Sequence, residues 1–251
     1  MKPHAFIARL RRAHVLGAGA LSVLLFLSIF GLYTYFSLRS APAYWNAQQR
    51  RITELPHEER NNISQSLRNQ LLTQWSSGPS NPTSADDLIG HRATLLIPFE
   101  ELNIWLSEEG IGLLSGVGVQ LPMGVKAAMV DNAGPGQLRV TCDLINGKIR
   151  QVVSLTFEIT INEDATVSSR LVNASAGRIA LPTQTAIDLM AGLDSGNTLM
   201  LDMMQGKTVP PIDIPIDPSE DGLRDGRLVG LEVRDDAIVI TRETVRRHRP
   251  E

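Results

Sequence analysis

Between His14 and Arg39 lie 24 residues without a formal charge. The run reads Val15 to Phe36 at its core and is densest from Leu21 to Phe30. About 20 apolar residues, rising 1.5 Å each, cross the hydrocarbon of a bilayer. A transmembrane helix is therefore expected over residues 15–38. Tyr33 and Tyr35 at its far end, and Trp45 beyond it, suit an interfacial aromatic belt. Lys2, Arg9, Arg11 and Arg12 precede the run with no acid among them, and the first acid of the chain is Glu54. That asymmetry predicts a cytoplasmic segment over 1–14 and an extracytoplasmic remainder, in a single-pass arrangement at the plasma or inner membrane. A cleaved signal peptide is the rival, because Ala41-Pro42-Ala43 resembles a small-residue cleavage site. The apolar run exceeds the roughly 7–15 residues of a signal core, and Pro42 suits such a site poorly, so an uncleaved anchor is expected.

Charge excludes one large class of partners. The rest of the chain carries 20 basic residues against 27 acidic ones, a net of −7. A nucleic-acid partner is not expected, since counterion release needs a basic surface. The single Cys142 excludes an internal disulfide framework and a cysteine zinc site. It falls in an apolar/polar alternation and reads as a small buried hydrophobe.

Downstream of the anchor, residues 44–75 read as a juxtamembrane helix with one interruption at Pro56. Ile63, Leu67, Leu71 and Trp75 recur every four residues as one apolar stripe. Residues 76–91 are rich in Ser, Gly, Pro, Asn and Thr and read as a linker. An extracytoplasmic α+β domain is expected over 92–243, and a basic tail over 244–251. The domain opens with a short strand, Ala93 to Ile97, and a helix, Phe99 to Glu109. A strand over Gly124 to Asp131 leads into Leu138, Val140, Cys142 and Leu144, which alternate with polar residues. Asn146-Gly147 is a hairpin signal. Val153, Leu155, Phe157, Ile159 and Ile161 then alternate with Ser154, Thr156, Glu158, Thr160 and Asn162. This period of two predicts a sheet with one buried face, holding Phe157, and one polar face, holding Thr156. After Glu163-Asp164 the chain returns over Val167 to Ala180. The expected fold is a curved antiparallel meander covered by helices, with a C-terminal hairpin about Asp235-Asp236.

Catalytic parts are missing from the pattern. Beyond the anchor the histidines are His57, His91 and His248, none with a metal-ligand partner at helical spacing. Gly112 to Gly116 lacks both the spacing of a nucleophile elbow and the lysine of a phosphate loop. Glu100-Glu101 and Glu108-Glu109 are adjacent pairs, which diverge by about 100° on a helix and do not converge on a substrate. Asp213, Asp217, Glu220 and Asp221 offer hard oxygen donors, but Pro215 and Pro218 interrupt them and the spacing is not that of a calcium loop. No enzyme, metal or cofactor is expected. The remaining feature is apolar. Met190, Leu193, Met200, Met203 and Met204, with Trp105, are candidates for lining an apolar ligand groove, core being the commoner role of such residues.

Several segments together resemble the YpmS-type family of small membrane-anchored bacterial proteins. They are the basic N-terminus with one apolar span, the stretch Leu95-Leu96-Ile97-Pro98-Phe99-Glu100-Glu101-Leu102-Asn103-Ile104-Trp105-Leu106, the meander, Gly177-Arg178-Ile179-Ala180-Leu181-Pro182 before a helix, and Asp235-Asp236-Ala237-Ile238-Val239-Ile240 in the closing hairpin. The resemblance implies an extracytoplasmic domain and supplies no catalytic residues. A looser likeness, at the level of fold alone, is to tubular lipid-binding domains. The expected function is that of a membrane-anchored, non-enzymatic envelope protein that binds lipid or another apolar ligand. The alternative is a scaffold for envelope protein partners. The expected partners are the bilayer itself, through the anchor, and such a lipid or protein.

Overall fold

The computed structural model describes residues 26–76, 89–110, 125–146, 149–193, 198–215 and 224–246. Helix α1 is seen over 26–39. Then come α2 (Ala43–Glu54), α3 (His57–Ser76), β1 (Arg92–Pro98) and α4 (Phe99–Trp105), which runs on into a π-helical turn, Leu106–Gly110. Strands β2 (Val125–Gly134), β3 (Gln137–Asn146), β4 (Ile149–Ile161), β5 (Val167–Ala176) and β6 (Ile179–Leu181) follow. Helices α5 (Thr183–Leu193) and α6 (Thr198–Met204) precede β7 (Gln205–Val209), β8 (Asp213–Pro215), β9 (Arg224–Val233) and β10 (Ala237–Arg246).

The membrane-crossing helix expected over 15–38 is corrected: among the described residues no helix is long and apolar enough to cross a membrane. Its described part is 14 residues, 26–39, which at 1.5 Å per residue reaches about 21 Å, short of the roughly 30 Å of bilayer hydrocarbon. The basic segment 1–14, the start of the apolar run, most of the linker, the Gly112 to Gly118 stretch, Asn146-Gly147 as a pair, the acids Asp217, Glu220 and Asp221, and the tail from Arg247 lie outside the described residues.

A second correction concerns the sheet. The meander is real, in the order β2-β3-β4-β5-β6, with β7 also pairing with β5. The closing hairpin does not extend it. β10 pairs antiparallel with β1 from the start of the domain, making a separate sheet of order β1-β10-β9-β8. The apolar strand Leu95 to Ile97 therefore finds its partner over 140 residues later in Ile238 to Ile240. The long juxtamembrane helix is two helices. Pro56 disfavours helical backbone at the preceding residue, and Leu55 is extended at φ −71°, ψ 136°.

Part of the polar face of the meander is not solvated. Leu155, Phe157, Leu171, Ala174, Ala186, Ile187 and Met204 form one core cluster beneath α5 and α6. On the opposite face Thr141, Asp143, Ser154 and Thr156 are also buried. Helix α2 lies on this face, with the Tyr44 hydroxyl meeting Thr141 and Ser154 and with Trp45 packed on Met129 and Val152. Residues that alternate with a hydrophobic set read as solvent-facing, but the short polar groups here have an amphipathic helical cover. A third cluster joins Leu67 of α3 to Leu95 and Ile97 of β1, with Leu71, Leu102, Trp105 and Ile240 against it. Gly110 closes the π-helical turn on this cluster, where a Cβ would stand 2.9 Å from Leu106 Cδ2.

Two-sided burial yields a testable contrast. Thr156→Asp should destabilise the protein by several kcal/mol, as Phe157→Asp does, because either buries an unpaired carboxylate. Thr160→Asp, at an exposed position of the same strand, should change stability by less than about 0.5 kcal/mol. Urea denaturation of the three variants checks it. A Thr156→Asp protein as stable as the Thr160→Asp one contradicts burial on this second face.

Candidate functional site

The side chains of α1 set it apart from every other element. Phe26, Leu27, Ile29, Phe30, Leu32, Tyr33, Tyr35 and Phe36 are all exposed, from 48% to 69%. At about 100° per residue these positions fall on every side of the helix rather than on one stripe. Phe26 and Phe30 stack with ring centroids 6.2 Å apart, and Tyr35 meets Phe36 edge-on. Arg39 closes the helix and lays its guanidinium 4.5 Å from the Tyr35 ring centre. A cation in the last turn also complements the helix dipole.

The lower end of α1 is bonded to the domain. The Arg178 amide donates to Ser37 O at 3.0 Å, satisfying a carbonyl that a helix end otherwise leaves open. Gly177 precedes it at φ +59°, and its amide donates to Val152 O at 2.7 Å. A Cβ at position 177 would collide with the carbonyl oxygens of Ser37 and Leu38. The tight β5–β6 turn thus allows contact with α1 only because residue 177 has no side chain.

Beneath that junction α2 carries a polar seam. The Tyr44 hydroxyl hydrogen-bonds Ser154 Oγ and lies 3.3 Å from Thr141 Oγ1. Arg139 stacks 3.7 Å from the Tyr44 ring centre and donates twice to Asp131, at 2.7 Å each. The Asp131 hydrogen bond raises the Arg139 guanidinium above its ordinary value. Next along the sheet, the Asp143 carboxylate is 3% exposed and accepts from Arg150 Nε and Nη2, at 2.6–3.0 Å. That pairing raises Arg150 likewise. Cys142, on the opposite face, is pushed up to about 11 by burial.

Clefts at the surface of the described residues include three that bear on the site. One of about 370 Å³ lies at the foot of α1, between Arg39, Trp45, Asn46, Arg150 and Gln151. A second, about 410 Å³, is bounded by α2, α4 and the closing hairpin and holds Arg51, Glu100, Asp131, Asp235 and Asp236. The third, about 510 Å³, separates the Glu163-Asp164 turn from the second sheet. Its two arginines are paired across strands, Arg92 to Glu243 at 2.9 Å and Arg227 to Asp213 at 2.8 Å. Asp213 is thus engaged by an arginine. Among the described residues no group of three or more His, Cys, Asp or Glu is placed to hold a metal.

Of the residues expected to line an apolar groove, Met204 and Trp105 fall in separate clusters. Met204 is 1% exposed in the core beneath the meander, and Met203 beside it is half-buried. Trp105 belongs to the other cluster, against Leu67, Leu95 and Ile97. Met190 and Leu193 fall on α5 and Met200 on α6, with side chains outside the described set. The α3 stripe is inward: Leu67 is fully buried, and Ile63 and Leu71 are half-buried. Arg39, Arg150, Gly177 and Arg178 were not singled out by chemistry in the sequence. Two signals were available. Arg39 is the first charge after the apolar run, and Gly177-Arg178 forms the tight turn that interrupts β5 and β6.

No family model, curated protein or solved structure matches this chain.

Two measurements check this geometry. Gly177→Ala should speed deuterium exchange at the Arg178 amide by breaking its bond to Ser37, while amides of the β1–β10 pair keep their protection. Unchanged exchange at Arg178 would show that α1 is not held by this turn. The Cys142 thiol, at a pKa of about 11, has roughly 0.1% thiolate at pH 8. Iodoacetamide should label it slowly in the folded protein, faster by about tenfold per pH unit from 7 to 9, and at the rate of a free thiol in denaturant.

Proposed function

We propose that this protein is a membrane-attached, non-enzymatic module. Its helix α1 sinks into lipid and holds the two-sheet domain against the bilayer surface, where the domain serves as a platform for partners. The observation that carries this reading is the distribution of apolar side chains on α1. A helix that docks in a protein groove needs an apolar stripe of about 100°. Here Phe26, Leu27, Tyr35 and Leu32 fall at roughly 0°, 100°, 180° and 240° around the axis, and all are exposed. Only an apolar medium on every side removes such a surface from water. Burying the eight large side chains supplies on the order of 10 kcal/mol, enough to hold a protein on a vesicle.

Met204, buried at 1% exposure among Leu155, Phe157 and Leu171, supports a platform rather than a carrier whose lipid lies against this residue. In this reading lipid is met by α1 and not by the methionine-rich segment. The three clefts carry charged groups and amides on their walls beside residues such as Trp45, Phe99 and Val229, which suits contacts with a partly polar partner.

The full chain, mixed with phosphatidylcholine vesicles, should float with them in a density gradient. Ile29→Asp with Leu32→Asp should cut the vesicle-bound fraction by about tenfold or more, because two carboxylates would enter hydrocarbon unpaired. The melting temperature of the domain should stay within a few degrees, since neither side chain packs on it. A double variant that floats as the parent does would remove α1 from lipid contact and end the proposal.

A further inference from the structure

We propose that the cleft at the foot of α1 is an anionic headgroup site, so that the protein binds bilayers carrying acidic phospholipids in preference to neutral ones. This inference rests on the reading of α1 as the lipid-contacting element and names the class of lipid. Three arginines surround the point where the apolar helix meets the domain. Arg39 ends α1 and lines the cleft; Arg150 lines its other side. Arg178 is exposed on the turn whose amide bonds Ser37 of the same helix end.

Charge at this place is net positive in spite of Asp143. That carboxylate is buried at 3% exposure and directs itself at Arg150 Nε and Nη2. Arg150 keeps Nη1 outside this pair, and its side chain is 70% exposed. Arg39 and Arg178 have no carboxylate within ion-pair distance among the described residues. Asn46 and Gln151 add amide donors to the cleft walls, and Trp45 forms its floor from the buried side. The volume, about 370 Å³, lies in the range of small-molecule sites and admits a phosphate with part of its headgroup. Guanidinium groups match phosphate oxygens in a planar two-point geometry.

Position argues as strongly as chemistry. An acyl chain lying along Leu32 and Phe36 ends, at the polar side, where Arg39 begins. The apolar and the cationic surfaces are therefore contiguous and in the order that a phospholipid presents them. Arg39 over Tyr35 keeps the first cation at this boundary, as expected of an amphipathic pair at an interface.

The test uses the full chain and two vesicle compositions, phosphatidylcholine alone and phosphatidylcholine with about a third phosphatidylserine. The parent should bind the acidic vesicles more tightly, and the preference should fade with added salt. Arg39→Gln with Arg178→Gln should lower binding to acidic vesicles by about fivefold per arginine removed and leave binding to neutral vesicles as it was. Arg39→Lys with Arg178→Lys should retain most of the preference. Residues 1–14 are unchanged in every variant, so their own charge cancels in the comparison. An acidic preference that survives intact in the glutamine variant overturns the inference. So does a parent that binds the two compositions equally, which leaves α1 as a lipid contact. A parent that binds neither defeats the reading of α1 itself.

Discussion

Tyr44 reaches from α2 into a sheet face lined by Thr141, Ser154 and Thr156, and most of the architecture follows from that contact. Hydroxyl-bearing side chains on a central strand are costly to bury without partners. The Tyr44 hydroxyl meets two of them, and the ring receives the Arg139 guanidinium, itself neutralised by Asp131. Trp45, the next residue, adds the apolar seal against Met129 and Val152. Once α2 lies there, the position of its neighbours is fixed. Only three residues separate it from α1, so α1 must leave the domain at the β5–β6 turn. At the other end Arg60 donates to the Ile52 and Leu55 carbonyls and pairs with Glu108 at 2.7 Å, tying α2, α3 and the π-helical turn together.

The meander was legible because its alternation is long and regular. Val153 to Ile161 gives five apolar residues on one face between polar neighbours, and few other structures satisfy a period of two over such a length. Residue type, however, reports polarity and not exposure. Thr156 and Ser154 look like solvent-facing residues in sequence, while their burial is decided by a helix more than 90 residues upstream. The pairing of β1 with β10 was invisible for a related reason. Each strand is short and apolar, and nothing local in Leu95 to Ile97 specifies a partner after residue 236. The break between α2 and α3 was readable, since Pro56 constrains Leu55 directly.

The site was harder to read than the fold. Methionines and a tryptophan attract attention as adaptable apolar residues, yet Met204 and Trp105 stand in separate clusters. The arginines at the foot of α1 come from positions 39, 150 and 178. Their proximity is a product of sheet register: Gly177 bonds Val152, which lies two residues from Arg150. No spacing rule collects residues brought together in this way. The hairpin turn at Asp235 is likewise tied to a distant strand, by the amide of Asn132, which donates to Asp235 at 3.4 Å and to the Arg234 carbonyl at 3.0 Å.

Asn103 of α4 accepts from the Val130 amide at 2.7 Å and donates to the Val130 carbonyl at 2.9 Å. It therefore occupies, with a single side-chain amide, the pair of backbone groups that an added strand would use. β2 is the outer strand of the larger sheet, and the opposite border ends in a strand of only three residues. Confinement to a surface raises the local concentration of copies far above that in bulk, which is the circumstance in which open sheet borders zip neighbouring molecules together. In the membrane-bound state proposed above, copies brought together would find Val130 already engaged, which closes one pair of ladder groups on that border to a neighbour. The carboxamide of Asn103 is the plug at that point of the strand.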